Sequence, residues 1–332
     1  MKLRVAAIIL ALGVGRASWG TTVLTARFKS LAEDLQWLEP REFEGLTVVA
    51  IGTGTAYENP NRLGPAILVG TGTRAVLVDA GRAVTEALRS ARVPVTQPDT
   101  VFLTRLSPET TVGLDDLLLT GWLAPRETTV RLVGPPGTQA LADGLRAAHA
   151  ASIASRGRSL KLPDAGARFE ALEVGDGWEA QSGELRVRAA ALPDGPTDAL
   201  AYRFEAAGRV AVVGTAGWGR PALVALAKGA DLLVHDAFWS ESLERAIEEG
   251  ADDPERLREE VAWLTPLEDV GAIAAEAGVE TLLLTRLRPP PIYDFMFGRI
   301  VSKQFDGRLV VAEDGETVTL APRERPAGTD RP

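Results

Sequence analysis

Short apolar runs separated by polar turns make up most of the chain. Runs rich in valine, isoleucine and leucine that stop at glycine, proline or charged residues are typical of buried β-strands, whereas apolar residues at helical spacing predict packed helices. On this basis we predict strands at 46–51, 66–69, 75–78, 101–104, 130–133, 184–192, 200–204, 209–213, 230–236, 281–285, 309–311 and 317–320. Helices are predicted at 82–91, 114–122, 139–155, 241–260 and 267–278. Strands that alternate with helices in this way favour an α/β fold.

Several turns between these elements carry local signals of their own. Gly52 and Gly54 follow the first strand without the third glycine and the helix of a dinucleotide-binding motif, so we interpret them as turn glycines. The last two strands are predicted to pair as a hairpin around Asp314-Gly315. The polar, glycine-containing stretch 156–177 is interpreted as a variable surface insertion.

The two ends of the chain differ from its middle. Lys2 and Arg4 precede an apolar run at 5–14, which predicts a signal peptide or a membrane anchor over 1–20. Residues 21–44 are predicted to form an amphipathic linker helix, 45–322 one domain, and 323–332 a disordered tail. Export to the periplasm or the extracellular space follows as an expectation.

Charge and composition limit the partners and the metal sites that the chain can have. The 332 residues include 36 Lys and Arg against 45 Asp and Glu, a net charge of -9. Without a basic cluster, a nucleic-acid partner is not expected. There is no cysteine, and the two histidines are His149 and His235, too few for a histidine-rich zinc site. His149, among alanines on a predicted helix, is interpreted as a packed or surface residue.

The segment from Val101 to Asp116, a strand followed by a polar turn and a helix, organises the candidate chemistry. Its turn resembles the zinc-binding turn of the metallo-β-lactamase fold, in particular the ribonuclease Z and arylsulfatase-like branch, where the segment is Leu-Thr-His-x-His-x-Asp-His. Further matches are Leu-Val-Asp-x-Gly ending at Gly81, Gly-Pro-Pro-Gly ending at Gly137, and Tyr202-Arg203-Phe204. The resemblance spans about 46–321 and implies a four-layer αββα sandwich.

The same resemblance indicates that the zinc ligands have been replaced. The positions that bind metal in the family hold Arg105, Ser107, Glu109, Thr110, Asp194, Thr215 and Arg286. Trp263 likewise replaces the histidine of a His-x-Thr-Pro turn. We therefore expect a degenerate member with no zinc cofactor, no metal ligand and no catalytic residue. Asp79, His235 and Asp236 are expected to support the emptied site, His235 in a structural role.

Two interpretations of the arginines stay open. Arg105 or Arg286 could pair with Glu109 or Asp194 and close the old site with salt bridges, since buried charges must be paired. Alternatively, both guanidinium groups could bind an anionic ligand, using their bidentate geometry. In either case the positions of the former metal site are the candidate ligand pocket.

Three hypotheses of function follow. The first is a non-catalytic protein that binds a small anionic ligand or a protein partner. The second is an ester or phosphodiester hydrolase with a metal-free site, or with an oxygen-ligated ion held by Asp79, Glu109, Asp194 and Asp236. The third is a structural subunit that pairs with an active paralogue, and a homodimer is also open.

Overall fold

The structure is a computed structural model that describes residues 38–55, 59–215, 217–291 and 294–323. Apart from Leu38 and Glu39, all of these belong to one compact unit that starts at Pro40. The predictions for 1–20, for most of the linker helix and for the tail beyond Arg323 lie outside the described residues. None of the described helices has the length and apolar character needed to cross a membrane.

The described residues form two seven-stranded sheets of matching design. In chain order, the strands are β1 (Phe43–Gly52), β2 (Ala66–Gly72), β3 (Arg74–Val78), β4 (Pro98–Phe102), β5 (Val130–Gly134), β6 (Phe169–Glu173), β7 (Glu179–Ser182), β8 (Leu185–Ala191), β9 (Leu200–Ala206), β10 (Arg209–Val213), β11 (Leu232–Phe238), β12 (Thr281–Arg288), β13 (Arg308–Val311) and β14 (Glu316–Leu320). The first sheet has the order β14-β1-β2-β3-β4-β5-β6, and the second has β13-β12-β11-β10-β9-β8-β7. Each sheet has an antiparallel and a parallel part: β14-β1-β2-β3 and β10-β9-β8-β7 are antiparallel, whereas β3-β4-β5-β6 and β10-β11-β12-β13 are parallel. The two sheets therefore share one design.

Helices cover the outer face of each sheet. In chain order, the helices of the described residues are α1 (Val84–Ser90), α2 (Pro108–Thr111), α3 (Leu114–Leu123), α4 (Thr138–Leu160), α5 (Arg220–Ala227), α6 (Ser240–Glu248), α7 (Pro254–Val261), α8 (Leu267–Ala277) and α9 (Asp294–Val301). A short 3-10 turn, Asp164–Ala167, follows α4.

Three apolar layers hold these elements together. One lies between the sheets and includes Val48 and Phe102 from the first sheet and Phe204 from the second. The others lie between each sheet and its helices: α1, α3 and α4 pack on the first sheet, and α5, α8 and α9 on the second. This arrangement confirms the predicted four-layer αββα sandwich.

Several sequence-based predictions are wrong in detail. Residues 309–311 and 317–320 do not pair as a hairpin, because β13 joins β12 in the second sheet whereas β14 joins β1 in the first. The stretch 156–177, interpreted as a variable surface insertion, has regular secondary structure over part of its length. It contains the end of α4 and the edge strand β6, whose alternating exposure follows its pairing with β5.

Two predicted helices also differ from the structure. The charged stretch 241–260 forms two short helices, α6 and α7, rather than one. Residues 38–42 have no regular secondary structure and β1 begins at Phe43, so the predicted linker helix does not extend to Glu44.

Candidate functional site

All the former metal-site positions except Asp194 gather, together with Asp79 and Asp236, where the parallel strands of both sheets end. Asp79 follows β3, Arg105 follows β4 and Thr215 follows β10, while Asp236 and Arg286 lie near the ends of β11 and β12. In open α/β sheets the carboxyl ends of the strands are where ligands and catalytic groups meet. The sandwich brings two such edges, one from each half, into contact at one place.

Arg105 is buried, and each nitrogen of its guanidinium contacts another group of the protein. Nη2 forms an ion pair with Glu109 Oε1 at 2.9 Å, and Nε lies 3.2 Å from Ser107 Oγ and 3.3 Å from Glu109 Oε1. Nη1 donates to the backbone carbonyl of Thr215, in the other half of the molecule. Each of its three nitrogens therefore has a partner.

The turn that presents Arg105 is fixed by its own hydroxyl groups. Ser107 and Thr110 form a capping box at the start of α2, and Thr110 Oγ1 also donates to the carbonyl of Arg105 at 2.7 Å. Thr110 is fully buried. Two of the three hydroxyls predicted to line a ligand pocket are therefore used to hold the backbone of the turn.

Arg286 reaches in the opposite direction, from the second half into the first. Its Nη1 lies 3.3 Å from Asp79 Oδ2 and 3.1 Å from Thr215 Oγ1, and its backbone NH donates to the carbonyl of Thr53. Arg286 has a left-handed φ of 52°. Its Nη2 is buried and has no hydrogen-bond partner among the described residues.

Asp79 is held by hydrogen bonds from both sides. Its carboxylate accepts the NH and the hydroxyl of Thr104 in addition to the Arg286 guanidinium. Burial raises the pKa of Asp79, and the charge of Arg286 opposes that rise. Burial and the charge of Arg105 lower the pKa of Arg286, but an arginine side chain stays protonated in proteins.

Two further carboxylates are affected by the arginines. Burial opposes the ionisation of Glu109, yet Arg105 and Arg286 together hold its pKa below the ordinary value. For Asp236 burial again opposes ionisation, while contact with His235 and the charges of Arg286 and Arg105 lower its pKa. The positive charges at the centre of the site therefore favour carboxylates in their ionised form.

His235 and Asp236 form a fully buried pair at the end of β11. His235 Nδ1 lies 2.7 Å from the Asp236 carbonyl oxygen, and since a carbonyl only accepts, Nδ1 carries the proton. His235 Nε2 and Asp236 Oδ2 have no hydrogen-bond partner among the described residues.

Asp194 does not join the cluster, which corrects one predicted pairing. Its side chain is exposed, and its backbone has a left-handed φ of 71° between β8 and β9. Arg286 pairs with Asp79 instead of Asp194, whereas the predicted pairing of Arg105 with Glu109 is present.

The donor set does not fit the zinc that the family resemblance implies. In the part of the chain that the structure describes, no three His, Cys, Asp or Glu side chains come together as a metal-binding group. Zinc sites take imidazole, thiolate or carboxylate ligands, while the two guanidinium groups at this site offer only donors.

A cleft of about 620 Å³ opens in front of the buried arginines. Ser107, Pro108 and Glu109 form one wall, and Trp263 and Leu264 form part of the opposite wall. Four charged residues on its rim were not anticipated from the sequence: Arg256, Glu259, Glu260 and Arg288. Three of them belong to α7, and their charge alternation along a surface helix gave no signal of a cleft.

The chain is similar in sequence to mycobacterial proteins named ribonuclease Z. It is 30% identical over 250 residues to that of Mycobacterium sp. strain KMS, covering 74% of this chain and 85% of the relative. It is 28% identical over 286 residues to that of Mycobacterium marinum, covering 84% of this chain and 100% of the relative. No family model matches the chain.

Solved structures show the same fold. The metallo-β-lactamase fold protein YhfI from Bacillus subtilis superimposes with a TM-score of 0.62 at 18% identity, over 83% of this chain and 99% of that one. The short form of human tRNase Z gives a TM-score of 0.62 at 18% identity, over 82% and 98%.

Proposed function

The chain belongs to the ribonuclease Z family of the metallo-β-lactamase fold. From that premise we propose that this member binds a ligand or a partner and does not catalyse zinc-dependent hydrolysis. The observation that carries this proposal is the position of the two guanidinium groups. Arg105 and Arg286 stand at former ligand positions, are 1% and 2% exposed, and are paired with Glu109 and Asp79. Cations cannot be ligated by groups that are themselves permanently cationic.

The contacts of Arg105 favour salt bridges over anion binding at the centre of the site. Every nitrogen of its guanidinium is bound by the protein. An anion that approached Arg105 would have to displace Glu109, which the two arginines already hold in its ionised form. Ligand binding is therefore proposed for the outer cleft, in front of the buried pairs.

The outer cleft suits a small ligand or a peptide segment with both polar and aromatic character. At about 620 Å³ it lies within the usual range for ligand pockets. Trp263 contributes an aromatic wall, held edge-on by Trp218 with ring centroids 5.7 Å apart. Arg256 and Glu260 on the rim form an ion pair at 3.1 Å, so the rim presents both signs of charge.

An oxygen-ligated metal is less well supported than a metal-free site. Asp194 is exposed and away from the paired acids, and Asp79 already has Arg286 and Thr104 as partners. The subunit hypothesis, a homodimer and the absence of a nucleic-acid partner remain predictions from the sequence. Export also remains a proposal, because it depends on residues 1–20.

The proposal is tested by a hydrolysis assay with bis(4-nitrophenyl) phosphate and 4-nitrophenyl acetate. The purified chain is assayed with zinc, manganese, magnesium or EDTA, beside zinc-loaded ribonuclease Z from M. marinum as the positive control. We expect rates equal to the blank under every condition. A metal-stimulated rate that EDTA abolishes, and that copurifies with the chain through two chromatographic steps, would overturn the proposal.

A further inference from the structure

The two sheets leave a cavity between them on the side where β6 and β7 are the outer strands. Its volume is about 350 Å³, at the lower end of the range for ligand pockets. It shares no lining residue with the former metal site. Its apolar walls are Val76, Phe102, Val133, Trp178, Leu185 and Val187. We call this cavity the inter-sheet slot.

Two rows of inward-facing side chains of the first sheet cross the slot. Strand register places Thr100, Arg131 and Glu170 side by side in one row. Two residues further along the strands, Phe102, Val133 and Leu172 form the next row. Because side chains alternate along a strand, both rows point to the same side of the sheet. The slot is therefore polar in one row and apolar in the next.

The apolar row is partly open to solvent. Phe102 lies in the core, its ring 5.1 Å from Tyr202 and 6.3 Å from Trp178. Leu172, on the edge strand β6, is 44% exposed although it shares the row with the buried Phe102 and Val133. A large apolar side chain on the inner face of a sandwich is normally covered by the opposite sheet. Here the open slot leaves it accessible.

Two arginines that line the slot have hydrogen-bond donors without partners among the described residues. Arg131 is exposed, and its guanidinium makes no hydrogen bond or ion pair with any other described residue. Arg74 also lines the slot. It forms an ion pair with Asp99 at 3.1 Å and donates a hydrogen bond to Ser182 of β7, in the opposite sheet. Its Nε is buried and has no partner among the described residues. A carboxylate offers acceptors only, which is what these two groups lack.

We propose that the inter-sheet slot binds a medium-chain acyl carboxylate. The acyl chain lies against Phe102, Val133 and Trp178, and the carboxylate meets Arg131 at the mouth with Arg74 beside it. Glu170 in the same row limits the head group to one compact anion, since a bulkier or more highly charged group would be repelled. This site is independent of the cleft at the former metal positions.

The test is a titration of the full chain with sodium salts of straight-chain carboxylates from hexanoate to hexadecanoate, each below its micelle concentration. Isothermal titration calorimetry gives the affinity. Because each methylene buried from water adds a fixed increment, we expect affinity to rise about fourfold per methylene until the slot is full and then to level off. Dodecyltrimethylammonium, with the same tail and a cationic head, should bind at least about tenfold more weakly than dodecanoate.

Variants of the slot test the contacts of the carboxylate head group and those of the acyl tail separately. Arg131→Gln should weaken dodecanoate binding about tenfold, because a charge-assisted hydrogen bond is lost. Glu170→Gln should strengthen it about threefold by removing the like charge. Ala180→Phe fills the slot from β7 and should abolish binding, and Leu172→Ser provides a second tail variant should the first fail to fold.

The matched control is Arg188→Gln. Arg188 lies on the opposite face of β8 from Val187 and pairs with Glu179, so dodecanoate binding should not change. Affinity that is independent of chain length, equal for the cationic tail, or unchanged in Arg131→Gln and Leu172→Ser would overturn the proposal. Binding that appears only together with dimer formation, measured by light scattering, would also contradict it.

Discussion

At the scale of single residues, the site is defined by two buried arginines that each cross from one half of the molecule to the other. Arg105 belongs to the first half and binds Thr215 in the second. Arg286 belongs to the second half and binds Asp79 in the first. Glu109 compensates the buried charge of Arg105, and Asp79 compensates that of Arg286. Such compensation is needed because an unpaired charge is costly in a low-dielectric interior. The arginines thus connect the halves at the point where the family resemblance places metal ions.

Replacing Arg105 by alanine tests that structural role. The change leaves Glu109 half-buried without its cation and removes the bond to Thr215, so we expect a loss of about 3 kcal/mol in the free energy of unfolding. Urea denaturation followed by circular dichroism measures it. The control is Arg220→Ala, whose partner Glu276 is 55% exposed, and which should change stability by less than about 0.5 kcal/mol. Equal small effects of the two variants would show that Arg105 is free for a ligand.

The pH dependence of stability isolates Glu109. Its pKa in the folded chain is lower than the ordinary 4.5, so its ionised form stabilises the fold above that value and the contribution is lost as pH falls through the folded pKa. Between about pH 5 and about pH 3 the wild-type chain should therefore lose more stability than Glu109→Gln. Parallel curves for the two proteins would mean that Glu109 is not held by the arginines.

At the scale of elements, close packing of turns in the first half holds the site in place. The chain segments around Gly64, Gly81 and Gly113 approach so closely that side chains are excluded. A Cβ on Gly81 would lie 2.5 Å from the backbone nitrogen of Pro65, and one on Gly113 would lie 2.1 Å from the carbonyl oxygen of Gly81. Gly81 lies two residues after Asp79, and Gly113 lies two residues after the end of α2, so these contacts fix both sides of the arginine turn.

Gly81→Ala is expected to destabilise the protein by about 2 kcal/mol or more, because the new methyl group meets backbone that cannot move aside. The control is Gly144→Ala on the exposed face of α4, where a Cβ would meet nothing within 4 Å. That variant should stabilise the chain by about 0.5 to 1 kcal/mol, the difference in helix propensity. Thermal melting compares the two, and a neutral Gly81→Ala would contradict the packing argument.

The sequence predicted the elements with local signals and missed those defined by distant partners. The strand ending at Phe102 and the turn from Arg105 to Thr110 were found because an apolar run and a family motif coincide there. β6 was missed because its exposure alternates at a sheet edge and only its pairing with β5 makes it a strand. The partition of β13 and β14 between two sheets was missed because a turn signal at Asp314-Gly315 says nothing about which strands pair.

Contacts between distant residues were also missed at the candidate site. The pairing of Arg105 with Glu109 was predictable from a four-residue spacing on one turn. The pairing of Arg286 with Asp79 links residues far apart in the chain, and the sequence analysis considered only Glu109 and Asp194 as partners of the arginines. Charge alone does not determine which carboxylate an arginine pairs with. The partner is determined by which strand ends lie together in the sandwich.

At the scale of the whole molecule, we expect the sandwich to be stable without metal. Two similar halves bury a shared apolar layer and are joined at their strand ends by ion pairs in place of ligands. A metal ion that bound only the folded chain would raise its stability in proportion to the logarithm of its concentration. A site filled by arginine side chains predicts no such dependence.

The measurement that tests this most directly is the metal content of the purified chain, by inductively coupled plasma mass spectrometry, together with thermal melting in EDTA and in excess zinc. We predict substoichiometric metal and melting temperatures that agree within about 1 °C. One or two equivalents of bound zinc per chain, with melting raised by about 5 °C or more in zinc relative to EDTA, would contradict the account.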